Sequence, residues 1–553
     1  MLTRLTCAIA ATAVMLAAGS AVAQPAASDV QAKVDAIFKR WMPTTPGCAV
    51  GADVKGQPVI RRAYGLSDLD HEVANRPETI FETGSVAKQF TAMAVLLLAK
   101  DGKLSLDDPV RKHIPELPAS AASVTVRQML QHTGGLRDWG YVVAVPGWPR
   151  GSRVHTHEHV LDVLARQQAL NFAPGTNWSY SNSGYNLAVI LVSRLSGMSF
   201  AAFTKARIFD PLGMTDSSWR DDWTRVVKRR AVGYGERRGA FVINMPFENV
   251  HGNGGMLTTI GDLLKWNANF ETPVVGDAAL LAEMQKPAVF IDGRAHEYAF
   301  GLYVDTYRGL REVDHSGGTA GYVTHLVRYP DQRVSVAVLC NVNTASPTNY
   351  AKDVAALFLG DLKEPPAPTA AHTLTAEESA RLAGLYRAPL PIGVIRVEAD
   401  KDGLSIRGIG RLIPQTATRF VTADRRTIEF DGRGGLRGAD EFGTVTELER
   451  VEPATPTADA LRAFTGRYVS DEAEATFDVA VDGEHIVVRR RPGLITPLTP
   501  VYADAFTGGL GWVVFRRDAA GRVVGLSLGS ERLWDLRFTR QPDTVPTAAE
   551  PPR

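Results

Sequence analysis

Residues 81–90 (FETGSVAKQF) place a serine and a lysine where they could react together. Ser85 lies at a predicted helix start and Lys88 follows three residues later, so both side chains share one face of the first helical turn. A serine hydroxyl is a poor nucleophile until a base takes its proton, and a lysine serves only where burial or another cation lowers its pKa. The pair indicates nucleophilic catalysis. The alternative is an N-capping serine above a solvated lysine.

Two later segments accompany this pair. Tyr180-Ser181-Asn182 lies within FAPGTNWSYSNSGYN, and His315-Ser316-Gly317 lies within DHSGGTAGY. With SVAK at 85–88 they resemble, in order, the three boxes of the penicillin-recognising serine hydrolases. Neighbouring segments are similar to that family as well: LLLAKDGKLSLDDPV after the first box, QMLQHTGGLRDW at 128–139, IFDPLGMTDSSW at 208–219 and GNGGMLTTIGDLLKW at 252–266. The resemblance covers residues 36 to about 360.

The resemblance implies a role for each residue of the first two boxes. Ser85 would be the acylated nucleophile, with Lys88 and Tyr180 sharing proton transfer to and from it. Tyr180 would need its cationic neighbour to approach the phenolate form. Asn182 would hydrogen-bond the substrate amide and hold Lys88 in place.

The third box would bind substrate. By the same resemblance, His315 occupies the position that is lysine in most β-lactamases, and Ser316 and Gly317 continue the binding segment. The backbone N–H groups of Ser85 and Gly318 would form the oxyanion hole. A neutral imidazole attracts a β-lactam carboxylate less than an ammonium does. We therefore expect slow acylation by penicillins, little turnover, and better binding near pH 6 than near pH 8.

The boxes depart from the SDN and KTG pattern of class A β-lactamases. Tyr180 replaces the serine of SDN, as in class C β-lactamases, D-aminopeptidases, some carboxypeptidases and esterases. The histidine of HSG is the variant associated with peptidase-like members. The resemblance thus implies acyl-enzyme hydrolysis of a small peptide or amide, with an esterase as the alternative. A catalytically idle peptidoglycan or peptide sensor is the contrasting class, and a pure binder would not need Lys88 and Tyr180 together.

Two histidine-containing segments offer other interpretations. His132-Thr133-Gly134 has the form of a third box but precedes the tyrosine box. His155, His157 and His159 resemble a metal cluster, yet their spacing lacks the i, i+4 pair of helical zinc motifs, and Thr156 is a helix-cap candidate. We predict neither a metal nor a cofactor.

Three aromatic residues follow the QHTGGL segment. Trp139, Tyr141 and Trp148 could line the acyl side of the pocket, and simple packing is the alternative.

A sheet and helices must position these boxes. Residues 47–64 and 321–341 each read as two strands around a turn, and helical periodicity follows Ser85 and the cap candidates Thr258 and Thr259. This order predicts an α/β (α+β) domain with one antiparallel sheet flanked by helices. In this fold the first strand pairs with the last, which brings Cys48 near Cys340. Demanding cross-strand geometry favours two free thiols there over a disulfide.

The length of the chain and changes in its composition indicate several domains. At 553 residues it is too long for one domain. We predict a catalytic domain at 24–361 that folds by itself, a Pro-rich linker at 362–374, and two antiparallel β-barrel modules at 375–452 and 459–540. The modules repeat each other, since LAGLYRAP is echoed by FTGRYVSD with the tyrosines Tyr386 and Tyr468 82 residues apart. One continuous β-domain is the alternative. This architecture looks like that of the D-aminopeptidases.

The N-terminus predicts export. Arg4 precedes an apolar stretch that ends in Ala21 and Ala23, spaced as a signal-peptidase site, so residues 1–23 form a signal peptide and the protein is periplasmic or secreted. An uncleaved anchor is the alternative, and no later segment could span a bilayer. The 61 basic and 60 acidic residues leave no field that would attract nucleic acid. The sequence does not indicate an oligomeric state.

Overall fold

A six-stranded antiparallel sheet forms the centre of the catalytic domain. The computed structural model describes residues 27–360, 362, 366–391, 393–431, 434–439, 445–491 and 493–542. The proposed signal peptide at 1–23 lies outside these residues. The sheet order is Tyr303–Tyr307, Leu310–Thr319, Tyr322–Tyr329, Val334–Cys340, Cys48–Val54 and Gln57–Tyr64. This confirms the predicted fold class.

The first and last long strands of the domain lie side by side in the middle of the sheet. Cys48 pairs with Cys340 in register, as the sequence predicts. The two residues form a disulfide, so the interpretation as free thiols is wrong. Both side chains are fully buried in one cluster, where direct cross-strand pairing sets the two sulfurs against each other.

Helices cover both faces of the sheet, which is why its central strands are apolar on both sides. Val50 faces the terminal helices Ala27–Ile37 and Pro347–Ala356, which contribute Val34 and Val354. Ala49 faces the helices Lys88–Lys100 and Ile260–Ala268. Thr259 caps the latter helix by accepting a hydrogen bond from the Asp262 N–H, as predicted.

Shorter elements surround this core. Further α-helices are Val126–Leu130, Trp139–Ala144, His157–Ala165, Asn182–Ser196, Phe200–Thr204 and Ala278–Met284, and a π-helical turn, Lys205–Phe209, continues from Phe200–Thr204. Short strand pairs or triplets are Leu66–Asp68 with Val73–Ala74; Phe81–Glu82, Met256–Thr258 and Ser218–Trp219; Tyr234–Arg237 with Ala240–Ile243; and Ala288–Val289 with Ala295–His296. Within the described ranges, no single helix is long and apolar enough to cross a bilayer; only Asn182–Ser196 and Phe200–Phe209, bent by 79°, pass that test together.

Two β-rich modules follow. The first begins with helix Ala376–Leu382 and is a nearly closed nine-stranded antiparallel sheet of Gly384–Arg387, Val394–Asp400, Gly403–Ile406, Gly410–Arg411, Ile413–Pro414, Arg419–Val421, Thr427–Phe430, Gly435–Ala439 and Val445–Val451. The second begins with helix Ala458–Arg462 and is a closed barrel of Gly466–Ser470, Ala475–Asp482, His485–Arg490, Leu494–Tyr502, Ala505–Gly508, Gly511–Arg517, Val523–Ser530 and Leu533–Arg540.

The sequence repeat corresponds to a structural one. Tyr386 and Tyr468 lie in the first strand of their modules, and both are almost fully buried. Each hydroxyl donates to the carbonyl four residues earlier, that of Leu382 or Phe464, at 2.8 Å in both cases. In both modules an equivalent tyrosine thus ties the first strand to the end of the entry helix or to the residues just after it.

The second barrel packs directly on the catalytic domain. Arg137 is buried between them, with 1% of its side chain exposed, and its Nη1 donates to Glu472 Oε2 at 2.5 Å and to Gln167 Oε1 at 3.1 Å. Its Nη2 donates to the carbonyls of Trp534 and Asp535. Independent folding of residues 24–361 stays a prediction, and a truncated domain would lose all the barrel partners of Arg137.

Removing Glu472 should destabilise this interface. In Glu472→Ala the buried Arg137 charge loses its carboxylate, and we expect the free energy of unfolding to fall by about 3–5 kcal/mol. Asp478→Ala is the matched control, because Asp478 pairs with Arg467 on the surface of the same barrel. The Asp478 side chain is 52% exposed and the Arg467 side chain is 64% exposed. This control should cost less than about 1 kcal/mol. Urea unfolding followed by tryptophan fluorescence measures the free energy of unfolding of both variants. Equal decreases in the two variants would contradict a buried ion pair between Arg137 and Glu472.

Candidate active site

Ser85 lies on a short 3₁₀ turn, Gly84–Ala87, that leads into helix Lys88–Lys100. Strand Leu310–Thr319 passes so close that two glycines are required. Gly84 has φ +54°, and a Cβ there would come within 2.5 Å of Gly318 N. A Cβ on Gly317 would come within 2.0 Å of Thr83 O. The third box therefore lies directly against the serine, and Ser85 and Gly318 both line the same pocket.

Lys88 is fully buried beside Ser85. Its Nζ lies 3.1 Å from Ser85 Oγ, 2.9 Å from Asn182 Oδ1 and 2.7 Å from the carbonyl oxygen of Asn253. Asn182 is held in one orientation because its Nδ2 donates to the Asp138 carboxylate at 2.9 Å, as does its backbone N–H at 2.8 Å. The Asn182 oxygen must therefore face Lys88.

These contacts suit an uncharged amine. A neutral lysine has two N–H donors and one lone pair, and the oxygens of Asn182 and Asn253 can only accept. If those oxygens take both donors, the lone pair is left for the Ser85 hydroxyl. Burial, with the Arg532 guanidinium as the next cause, holds the pKa of Lys88 well below its usual range. Lys88 is therefore set up to accept a proton from Ser85.

Tyr180 completes the group around the serine. It lines the same pocket as Ser85, and burial raises its pKa above the usual value. Lys88 Nζ and Arg532 Cζ lie 4.8 Å and 4.6 Å from the Tyr180 ring centroid. Burial outweighs the Arg532 charge in setting the pKa of Tyr180, so this cation does not bring Tyr180 to the phenolate form. Tyr180 is a protonated phenol that can carry a proton rather than a standing base.

His315 is buried and neutral. Its Nδ1 lies 2.5 Å from the Ser316 carbonyl, which can only accept, so Nδ1 carries the hydrogen and Nε2 accepts from the Tyr298 hydroxyl at 3.2 Å. Burial lowers the pKa of His315 to about 3. With this pKa His315 is uncharged at both pH 6 and pH 8, so it does not supply the expected preference for pH 6.

The pocket in front of Ser85 has a volume of about 620 Å³. Seven of the predicted site residues line this pocket: Ser85, Tyr180, Asn182, His315, Ser316, Gly317 and Gly318. Lys88 is buried behind Ser85. The structure thus brings every predicted catalytic and substrate-binding residue to one place.

Three functional candidates were missed from the sequence. Asp138 fixes Asn182, Asn253 binds Lys88, and Arg532 enters from the turn between the last two barrel strands. The Arg532 carbonyl accepts from the Asp138 N–H and from Asn171 Nδ2, both at 3.2 Å. Asp138 and Asn253 lie in segments that carry the family resemblance. No local pattern distinguishes Arg532.

Comparison with known proteins agrees with this geometry. The profile of the Beta-lactamase family matches residues 34–359. The chain belongs to the β-lactamase family. The D-aminopeptidase of Brucella melitensis (biotype 1, strain 16M) is 26% identical to it over 511 residues, or 88% of this chain and 93% of that protein. Penicillin-binding protein 4* of Bacillus subtilis is 28% identical over 398 residues, or 66% and 85%. The recognised family is confirmed, and this β-lactamase family member is a serine hydrolase.

The structural similarity to one solved protein extends beyond the catalytic domain. The octameric penicillin-binding protein homologue from Pyrococcus abyssi superposes with a TM-score of 0.55 at 22% identity, covering 85% of this chain and 99% of that one. At this identity the likeness shows the fold alone.

The other histidines of this β-lactamase family member have separate surroundings. His132 packs on the Tyr180 ring at 4.4 Å, and its Nδ1 accepts from the Ser181 N–H at 3.2 Å, so it supports the tyrosine box from behind. Thr156 caps helix His157–Ala165, as predicted. His157 contacts His251 at 4.6 Å, whereas His155 packs on Trp139 at 5.1 Å.

The three aromatic candidates for the acyl side of the pocket also have different surroundings. Tyr141 lines the catalytic pocket. Trp139 is fully buried and donates to Asn186 Oδ1 at 2.8 Å, so it packs the core. Trp148 is 38% exposed and lies outside the lining of that pocket.

Arg532 should set the pH at which this β-lactamase family member becomes active. In Arg532→Gln the loss of a neighbouring positive charge raises the pKa of Lys88, so the neutral amine appears only at higher pH. We expect kcat/KM to fall roughly three- to tenfold at pH 6 and much less at pH 9. Arg532→Lys keeps the charge and should restore the profile. A uniform loss at all pH values would show that Arg532 acts by packing alone.

Proposed function

We propose that this chain is an exported serine peptidase that hydrolyses amide bonds of D-amino-acid peptides, of the aminopeptidase or carboxypeptidase type. The observation that carries the proposal is the contact set of Lys88, which holds its buried Nζ 3.1 Å from the Ser85 Oγ. The similarity to a D-aminopeptidase over most of both chains supports the substrate class. Export is supported by the N-terminal pattern and by the disulfide, since such bonds persist in oxidising compartments.

Acylation would proceed as follows. Lys88 takes the proton of Ser85 as Oγ bonds to the carbonyl carbon, and the N–H groups of Ser85 and Gly318 stabilise the oxyanion. The C–N bond breaks when the leaving amine receives the Tyr180 hydroxyl proton, and the Lys88 ammonium reprotonates Tyr180. Asn182 has one remaining Nδ2 hydrogen, which donates to the carbonyl on the acyl side of the substrate.

Deacylation would use the same two groups in reverse. A water molecule gives its proton through Tyr180 to Lys88 as its oxygen attacks the ester carbon. The C–Oγ bond then breaks and Ser85 recovers the proton. The neutral His315 leaves the pocket without a histidine cation for a substrate carboxylate. This supports the expectation of slow acylation by penicillins with little turnover.

A substrate panel tests the proposal. D-amino-acid amides and acyl-D-Ala-D-Ala peptides should be hydrolysed, their L-enantiomers should react much more slowly, and a chromogenic cephalosporin should turn over slowly. Nitrophenyl esters test the alternative esterase activity on the same site. Rapid turnover of esters with none of amides would replace the peptidase proposal, and acylation without any turnover would favour the sensor.

A further inference from the structure

A cleft between the catalytic domain and the eight-stranded barrel opens beside the catalytic pocket. It has a volume of about 410 Å³. Tyr141, Ala144 and Pro149 line both the cleft and the pocket that holds Ser85. The cleft and the catalytic pocket are therefore adjacent along these three residues.

The cleft is lined mainly by apolar side chains. The barrel contributes Leu494, Leu510 and Leu528, and the catalytic domain contributes Val145. Its charged lining residue is Arg490, whose Nη1 already donates to the carbonyls of Ala144 at 2.7 Å and Val145 at 2.9 Å. Such a surface selects an apolar ligand over a charged one.

The acyl side of a substrate leads towards this cleft. Asn182, which donates to the acyl-side carbonyl in the proposed function, is bound to Asp138. Asp138 caps helix Trp139–Ala144, and Tyr141 and Ala144 of that helix open onto the cleft. A chain that continues beyond Asn182 along this helix enters the space between the helix and the barrel.

We propose that this cleft is a subsite for an apolar N-acyl chain on the substrate, which rests on the proposed function. The second barrel supplies one wall of the subsite. A substrate with a free amino group would leave the subsite empty, so of the two peptidase types in the proposed function the subsite favours the one that takes an N-acylated D-amino-acid residue.

Two adjacent residues, a leucine and an isoleucine, provide a matched test of the subsite. Leu494 and Ile495 lie on strand Leu494–Tyr502 and are 40% and 61% exposed, so an arginine at either position costs little core packing. Successive residues of a strand point to opposite faces, and of the two only Leu494 lines the cleft. Leu494→Arg places a charged side chain in the cleft, and Ile495→Arg places the same side chain outside it.

The first measurement is kcat/KM for N-acyl-D-alanine 4-nitroanilides from acetyl to octanoyl. With the wild type, each methylene that enters the cleft should raise kcat/KM by up to about fourfold. The octanoyl-to-acetyl ratio should fall at least tenfold in Leu494→Arg and stay unchanged in Ile495→Arg. A flat series in the wild type, or equal ratios in both variants, would overturn the subsite.

The second measurement separates this inference from the proposed function. Calorimetry of N-octanoyl-D-alanine amide with Ser85→Ala reports binding without chemistry. Adding Leu494→Arg should weaken that binding at least tenfold, and adding Ile495→Arg should not. If no anilide is hydrolysed but this difference is found, the peptidase proposal fails and the subsite stands. If binding is unaffected by Leu494→Arg, the subsite is refuted whatever the activity.

Discussion

Ser85→Ala is expected to form no covalent adduct with a fluorophosphonate or a penicillin, whereas the wild type forms one adduct on the peptide that carries Ser85. Removing the nucleophile also removes the benefit of Lys88 and Tyr180, because groups that act as a unit lose their effect together. We therefore expect kcat to fall by about 10³–10⁶ on every substrate that is hydrolysed. Intact-protein mass spectrometry and peptide mapping measure the adduct, and steady-state kinetics measure the loss.

Ser181→Ala is the matched control for this experiment. Ser181 is buried one residue after Tyr180, and its Oγ has no hydrogen-bond partner among the described residues. Its removal should leave the adduct in place. An undiminished adduct on Ser85→Ala would overturn the assignment of the nucleophile and of every role that depends on it.

Lys88→Met should lower kcat by about 10²–10⁴, because methionine fills a similar volume but accepts no proton. The wild-type rate should rise with pH as Lys88 loses its proton, since only the neutral amine can take the proton of Ser85. In Lys88→Met this rise should disappear. A pH series of fluorophosphonate labelling rates gives the profile directly.

Lys100→Met tests whether the effect belongs to this lysine alone. Lys100 ends the same helix, is 43% exposed and pairs with Asp277 on the surface. Its replacement should leave both the rate and the pH profile unchanged. Thermal unfolding must accompany Lys88→Met, since the oxygens of Asn182 and Asn253 lose their donor. A folded Lys88→Met protein that keeps the wild-type profile would remove Lys88 from proton transfer.

Local sequence patterns were enough to place Ser85 and Lys88 on one face of a helix start, which follows from helix geometry. The other two boxes, and the pairing of the first strand with the last, came from the resemblance to a known family. Thr156 and Thr259 were recognised as caps from local patterns, because a cap depends on a few neighbouring residues.

The pKa values of the site residues could not be predicted from local sequence patterns. The pKa of His315 depends on how completely the surrounding chain excludes water, and its residue type alone suggested a charge near pH 6. Arg532 reaches Tyr180 only because the barrel docks on the catalytic domain. That docking rests on contacts such as Arg137 with Glu472, 335 residues apart, which leave no local pattern.

The disulfide closes most of the catalytic domain into a covalent ring. Cys48 and Cys340 are 292 positions apart, and every residue of the three boxes lies between them. A protease that cuts once inside the ring therefore opens a loop without releasing a fragment. In an extracellular setting where peptidases are abundant, a nicked molecule would keep the serine, tyrosine and histidine boxes on one covalent assembly until the bond is reduced.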